Sequence, residues 1–144
     1  KTNMQQYLIK IAWKNDAFEA TVSDSFPPHN CYAMSTDNFK EILDMGHAYV
    51  DQEFYDYDEL GLEIPDWYKN GEYEFVCQFQ DVASMLKAFS AYAPLAAISR
   101  ETGINQTLLS HYVNGLKIPR RKQQERILEG LHRIGALLKN SMIG

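Results

Sequence analysis

Residues 94–119 read PLAAISRETGINQTLLSHYVNGLKIP, and their punctuation predicts two short helices set at an angle. Pro94 opens the first helix at the first-turn position, where a missing N–H costs nothing, and Leu95, Ala97 and Ile98 are its apolar residues. Gly103 ends it, because the turn needs a left-handed or close-packed residue that a side chain would obstruct. Asn105 then caps a second helix, Gln106–Val113, which Asn114-Gly115 closes. Ala96 and Ala97 are small where a second helix would cross. Ile104, Leu109 and Tyr112 are placed to face inward and lock the angle, which leaves Gln106, Thr107, Ser110 and His111 facing out. A helix-turn-helix makes these demands, and its outward face must carry side chains able to reach base edges.

The sequence on either side extends the helical reading. Asp81 can cap a helix whose stripe is Val82, Met85, Leu86 and Phe89, and after Pro119 a long helix places Ile127, Leu131, Ile134 and Leu138 at spacings of four, three and four. Upstream the period changes to two. Tyr7, Ile9, Ile11 and Trp13 alternate with Leu8, Lys10 and Ala12; Lys14-Asn15-Asp16 is a turn; Phe18, Ala20 and Val22 alternate with Glu19 and Thr21. These residues predict a β-hairpin. Pro27-Pro28 interrupts pairing, and a third strand is expected around 30–34. Ser35-Thr36-Asp37 is a helix-start cluster. Behind it Phe39, Ile42, Leu43, Gly46, Val50 and Phe54 form the inner stripe of a helix over about 37–55, with Glu41, Asp44, Asp51 and Glu53 on its outer face. Residues 56–71 are expected to be a loop and 72–79, EYEFVCQF, a fourth strand. The expected fold class is α+β: a β-β-β-α-β domain over 1–80 and an all-α helix-turn-helix domain over 81–144.

Charge divides the chain at the same place. Residues 1–79 hold 15 Asp plus Glu against 5 Lys and no Arg, a net −10. Residues 80–144 hold 9 Lys plus Arg against 4 Asp plus Glu, a net +5. The basic half suits a polyanion and the acidic half a cationic partner. With 144 residues, 45% of them apolar and 23% charged, the chain has material for a real core and is not of a disordered class. Lys1–Gln6 is polar with no apolar run behind it, and no stretch reaches the ~18 residues that span a bilayer. A cytoplasmic protein with no membrane contact is the expectation. Cys31 and Cys77 lack metal-ligand spacing and are expected to be buried free thiols.

The 94–119 segment resembles the phage-repressor (Xre-like) helix-turn-helix family through Ala97, Gly103, Ile104, Leu109, Tyr112, Asn114, Gly115 and Pro119. The resemblance implies that Gln106 and Thr107 read the major groove of operator DNA, with Ser110 and His111 one turn on. Gln106 can pair bidentately with adenine, worth about 1–3 kcal/mol of discrimination. Asn105 and Asn114 flank that surface. Lys117, Arg120, Arg121 and Lys122 would lie beside phosphates and add salt-dependent affinity.

The first half is similar to the HicB antitoxin family. DSFPPHNCYAMSTDNFKEIL (24–43) is similar to that family's Pro-Asp-Leu-Pro-Gly-Cys strand and Gly-Asp-Thr helix start, and LEIPDWYKNGEYEFVCQF (62–79) to its closing loop and strand. This chain has His-Asn where the family usually has Gly before the cysteine, and Met-Ser where it has Gly-Asp. The resemblance implies a partial RNase H-like domain that covers a HicA-like RNase toxin, and a DNA-binding domain that represses the operon. A homo-oligomer, dimer or higher, is expected because one recognition helix reads too few base pairs. The final-helix stripe and the N-domain sheet are the candidate dimer surfaces, although most of that stripe, Ile127, Leu131, Ile134 and Leu138, is expected to close its own helical domain. A stand-alone transcriptional regulator whose first domain binds a ligand or another protein is the competing reading.

Catalysis is not expected. Two-metal nuclease chemistry needs clustered carboxylates, and the hairpin carries only Asp16, Glu19 and Asp24, with Glu19 alone mid-strand. No Gly-rich phosphate loop or nucleophile–base motif is present, so no cofactor, metal or catalytic residue is assigned. A degenerate nuclease is a third, weaker reading.

Overall fold

A computed structural model describes residues 4–23 and 31–144. Pro27-Pro28, Asp24 and the first residue expected in the third strand lie outside the described residues. The fold is α+β, a four-stranded mixed sheet followed by helices. The chain divides into two compact units, Lys1–Gln80 and Asp81–Gly144.

In unit 1, strands β1 (Gln5–Lys14) and β2 (Ala17–Ser23) form the hairpin. They pair antiparallel from Lys14↔Ala17 to Leu8↔Ser23. The turn between them is two residues long, with Asn15 at φ 53° and Asp16 at φ 60°. Both central residues are left-handed, as in the type I′ turn that matches strand twist, and Asn and Asp tolerate that region best after Gly. Strand β3 is Cys31–Thr36 and pairs antiparallel with β2. It runs two residues past the expected end, because Ser35 and Thr36 pair with Glu19 and Phe18.

Helix α1 therefore starts later than expected, at Phe39, and ends later, at Glu59. Its cap is Asn38, whose side chain accepts from the Lys40 N–H at 3.0 Å, while the Thr36 hydroxyl accepts from the Asn38 N–H at 3.2 Å. The helix runs past 55 because Tyr57 is buried and continues the inner stripe of Phe39, Ile42, Gly46, Val50 and Phe54. Glu53 belongs to the inner side and is only 6% exposed, contrary to its expected outer position. The expected loop contains a short helix, α2 (Asp66–Lys69), which sets Trp67 edge-on to Phe54 at 5.4 Å and Tyr7 at 6.3 Å. Strand β4 (Tyr73–Phe79) pairs parallel with β1, so the strand order is β3-β2-β1-β4. Period-two alternation puts Tyr7, Ile9, Ile11, Phe18, Ala20, Val22 and Met34 into the core.

Unit 2 holds four helices: α3 (Val82–Phe89), α4 (Leu95–Thr102), α5 (Gln106–Val113) and α6 (Arg121–Lys139). Helix α3 packs on α5, and α4 packs on both α5 and α6. Asp81 caps α3 by accepting from the Ser84 N–H at 2.8 Å. Pro94 is the N-cap of α4 rather than its first helical residue. The core is Leu86, Ile98, Ile104, Leu109, Tyr112 and Ile127. The expected α6 stripe seals only at its start: Ile127 is fully buried, Leu131 and Ile134 are half-buried, and Leu138 is 72% exposed.

Candidate nucleic-acid interface

Helix α5 is held by its ends and by its inner face. Asn105 is its N-cap, and the Asn105 side chain accepts from the Thr107 N–H at 2.8 Å. At the other end the Asn114 N–H donates to the Ser110 carbonyl at 3.1 Å, and Gly115 follows at φ 72°. Leu109 and Tyr112 anchor the inner face.

The turn before α5 is built by side chains as well as by Gly103. That glycine sits at φ 74° and closes α4 through its N–H to the Ser99 carbonyl at 2.8 Å. The Ser99 hydroxyl donates to the Ile104 carbonyl at 2.6 Å. The Thr102 hydroxyl donates to the Ile98 carbonyl at 2.7 Å and accepts from the Ile104 N–H at 3.2 Å. Buried polar groups of the turn thus find partners, which keeps it from costing the desolvation of each one.

Helix α6 contributes a second brace that sequence reading missed. Arg126 donates to the Thr102 carbonyl at 2.7 Å, and Arg133 donates to the Glu101 carboxylate at 2.7 Å and carbonyl at 2.9 Å. These carbonyls belong to the last turn of α4, where intrahelical donors run out and cations are favoured. Gly130 lies between the two arginines, and a β-carbon there would overlap the Thr102 side chain. The absence of that carbon lets α6 meet the end of α4 closely.

On the outside of α5, Gln106 and Thr107 are exposed, and Ser110 and His111 are half-buried. With Asn114, also exposed, they occupy one arc of roughly 140° at about 100° per residue. The arc carries hydrogen-bonding side chains and is mounted on a helix capped at both ends. Asn105 is exposed too, but its side-chain oxygen is committed to the cap. Lys117, Arg120, Arg121 and Lys122 are exposed. Arg121 makes only a solvent-facing pair with Glu125 at 3.4 Å, worth little in water. Leu116 and Ile118 beside them are 71% and 87% exposed.

Unit 1 offers two further surfaces. A shallow groove of about 770 Å³ crosses the sheet, lined by Lys10, Lys14, Glu19, Thr21, Gln78 and Gln80 among others. Near the end of α1 a smaller hollow of about 320 Å³ is lined by Tyr49, Glu53, Asp56, Tyr57, Leu60 and Leu62. Around α2, Tyr68 donates to Asp51 at 2.7 Å. Burial first, then that hydrogen bond and the carboxylate charge, push the Tyr68 phenol up to about 12. Burial and the same carboxylate also raise Tyr73, whose hydroxyl lies 3.0 Å from His47 Nδ1. Cys77 is half-buried and burial lifts its thiol to about 11, whereas Cys31 is exposed, contrary to expectation, because it starts β3, the outer strand among the described residues. Among the described residues no group of three or more His, Cys, Asp or Glu is placed to hold a metal ion, and no helix is long and apolar enough to cross a membrane.

No family model, curated protein or solved structure matches the chain.

Proposed function

We propose that unit 2 binds double-stranded DNA through a helix-turn-helix, with α5 as the recognition helix, and that the whole chain is an antitoxin and autorepressor of the HicA/HicB type. One observation carries the DNA reading. The residues expected to read bases form a single outward polar arc on a helix whose other face is fully anchored. Gln106, Thr107, Ser110 and His111 would meet base edges, and Lys117, Arg120, Arg121 and Lys122 would meet phosphates. Asn105 would act by presenting the first turn of α5.

For unit 1, the strand order β3-β2-β1-β4 with a parallel β4 supports the partial RNase H-like reading. Its net −10 supports a cationic protein partner, a HicA-like RNase toxin. No catalytic role is assigned to the chain. The broad groove on the sheet favours a second reading, in which the chain is a stand-alone DNA-binding regulator whose first unit takes a ligand or another protein.

Fluorescence anisotropy with DNA from upstream of the chain's own gene tests the first half. Sequence-specific binding that Gln106→Ala weakens is expected; equal affinity for random DNA would sink it. Mixing with the product of a neighbouring HicA-like gene and assaying RNA cleavage tests the second half. A toxin that stays active in excess of this protein leaves only the regulator reading.

A further inference from the structure

From Leu128 onward α6 carries an apolar seam that its own unit leaves partly uncovered. Leu128, Leu131, Gly135 and Leu138 follow one another at spacings of three, four and three. Leu128 is 41% and Leu138 72% exposed, Leu131 is half-buried, and a β-carbon on Gly135 would meet nothing. This stripe is rotated from the buried side of the helix, where Ile127 and Gly130 face inward. Spacing of this kind is the a/d seam through which one helix packs along another. The seam is also self-complementary in shape, since the empty place at Gly135 can receive a leucine from a facing helix.

Charge along the seam selects the facing helix. Glu125, His132 and Lys139 are seven residues apart and exposed on one flank. The opposite flank carries Ile127 and Ile134, which belong to the core side. When two copies of α6 run antiparallel with Leu131 over Gly135, Leu128 meets Leu138 and Glu125 falls beside the other copy's Lys139, twice by symmetry. A parallel pair forms no such ion pairs, because the only charged flank would lie opposite isoleucines.

We propose that α6 docks antiparallel on α6 of a second copy of this chain along Leu128, Leu131, Gly135 and Leu138. The proposal deepens the functional reading. It rests on that reading for the need of two recognition helices, and on α6 for where the second copy sits.

Sedimentation of the full chain tests it together with DNA anisotropy on the same samples. The wild type is expected at twice the chain mass at high micromolar concentration, and Leu138→Asp, a surface change, is expected to weaken association by at least about tenfold. Glu125→Lys and Lys139→Glu should each weaken it several-fold, and the double exchange should restore it. A monomeric wild type, or single exchanges without effect, would overturn the proposal even if the monomer binds DNA. A dimer that Leu138→Asp disrupts but that binds no DNA would uphold the proposal and sink the functional reading instead.

Discussion

Arg126 of α6 donates to the Thr102 carbonyl of α4 across 2.7 Å, tying the last turn before the recognition helix to a residue 24 positions away. The bond is charge-assisted and part-buried, and Gly103, which follows Thr102, leaves room for it: a β-carbon there would lie 3.2 Å from the same guanidinium.

Removing this tie should destabilise unit 2. Arg126→Ala is expected to cost about 1.5–3 kcal/mol, the range for hydrogen bonds to charged groups. Denaturant melts followed by circular dichroism measure it, and a shift below about 0.5 kcal/mol, the scale of an ordinary surface change, would show the tie to be ornamental.

Gly103→Ala should cost about 1–2 kcal/mol for forcing a β-carbon into the left-handed region. Crowding against Arg126 adds to that. The same melts test it, and unchanged stability would contradict the backbone geometry. Gly130→Ala should also destabilise, although alanine is the better helix former, because its methyl overlaps Thr102.

For DNA, Gln106→Ala should lose about 1–3 kcal/mol on the operator and little on random sequence. Arg121→Ala should weaken every sequence alike and reduce the slope of log affinity against log salt by about 1. Anisotropy titrations across a salt series separate the two, and identical effects on both kinds of DNA would refute the assigned roles.

The Tyr68 phenol offers a pH test in unit 1. Its folded pKa, about 12, lies above the ordinary 10.0. The stabilising contribution is therefore complete below pH 10 and is lost as pH rises through about 12. Ultraviolet titration should show a late-ionising tyrosine that Tyr68→Phe removes. If the variant's titration curve is unchanged at its alkaline end, burial and the Asp51 contact do not together raise Tyr68 in solution.

The thiols should differ in reactivity. Cys31 is exposed, whereas burial holds Cys77 at about 11. At mildly alkaline pH an alkylating reagent should label Cys31 first and Cys77 much more slowly, since the thiolate is the reacting form. Mass spectrometry of time points reads the order; equal rates would mean that β4 opens readily.

Much of this was legible from local patterns. Alternation from Tyr7 to Val22 defined the hairpin because Tyr7, Ile9, Ile11, Phe18, Ala20 and Val22 are all buried, and Gly103, Asn105 and Gly115 punctuated the chain where its backbone changes region. Features made by distant partners were not. No local signal tells β4 to pair parallel with β1, or Arg126 and Arg133 to seek carbonyls 24 and 32 residues back. The end of β3 was hidden because Ser35 and Thr36 suit a helix start, yet they pair with β2. The place of Leu138 was left open for a related reason: leucine at helical spacing reads the same whether it faces its own unit or a second copy, and it is exposed.

The parallel β1–β4 ladder also constrains the order of events during synthesis. β1 lies between its hairpin partner and a strand whose last residue is Phe79. The hairpin can form early, but one side of β1 waits while all of α1 and α2 are made. Until β4 arrives, the row of peptide groups along Tyr7–Ile11 is an open template for foreign strands. The acidic unit is thus a late-closing fold, with its time of greatest aggregation risk set by translation across residues 24–79.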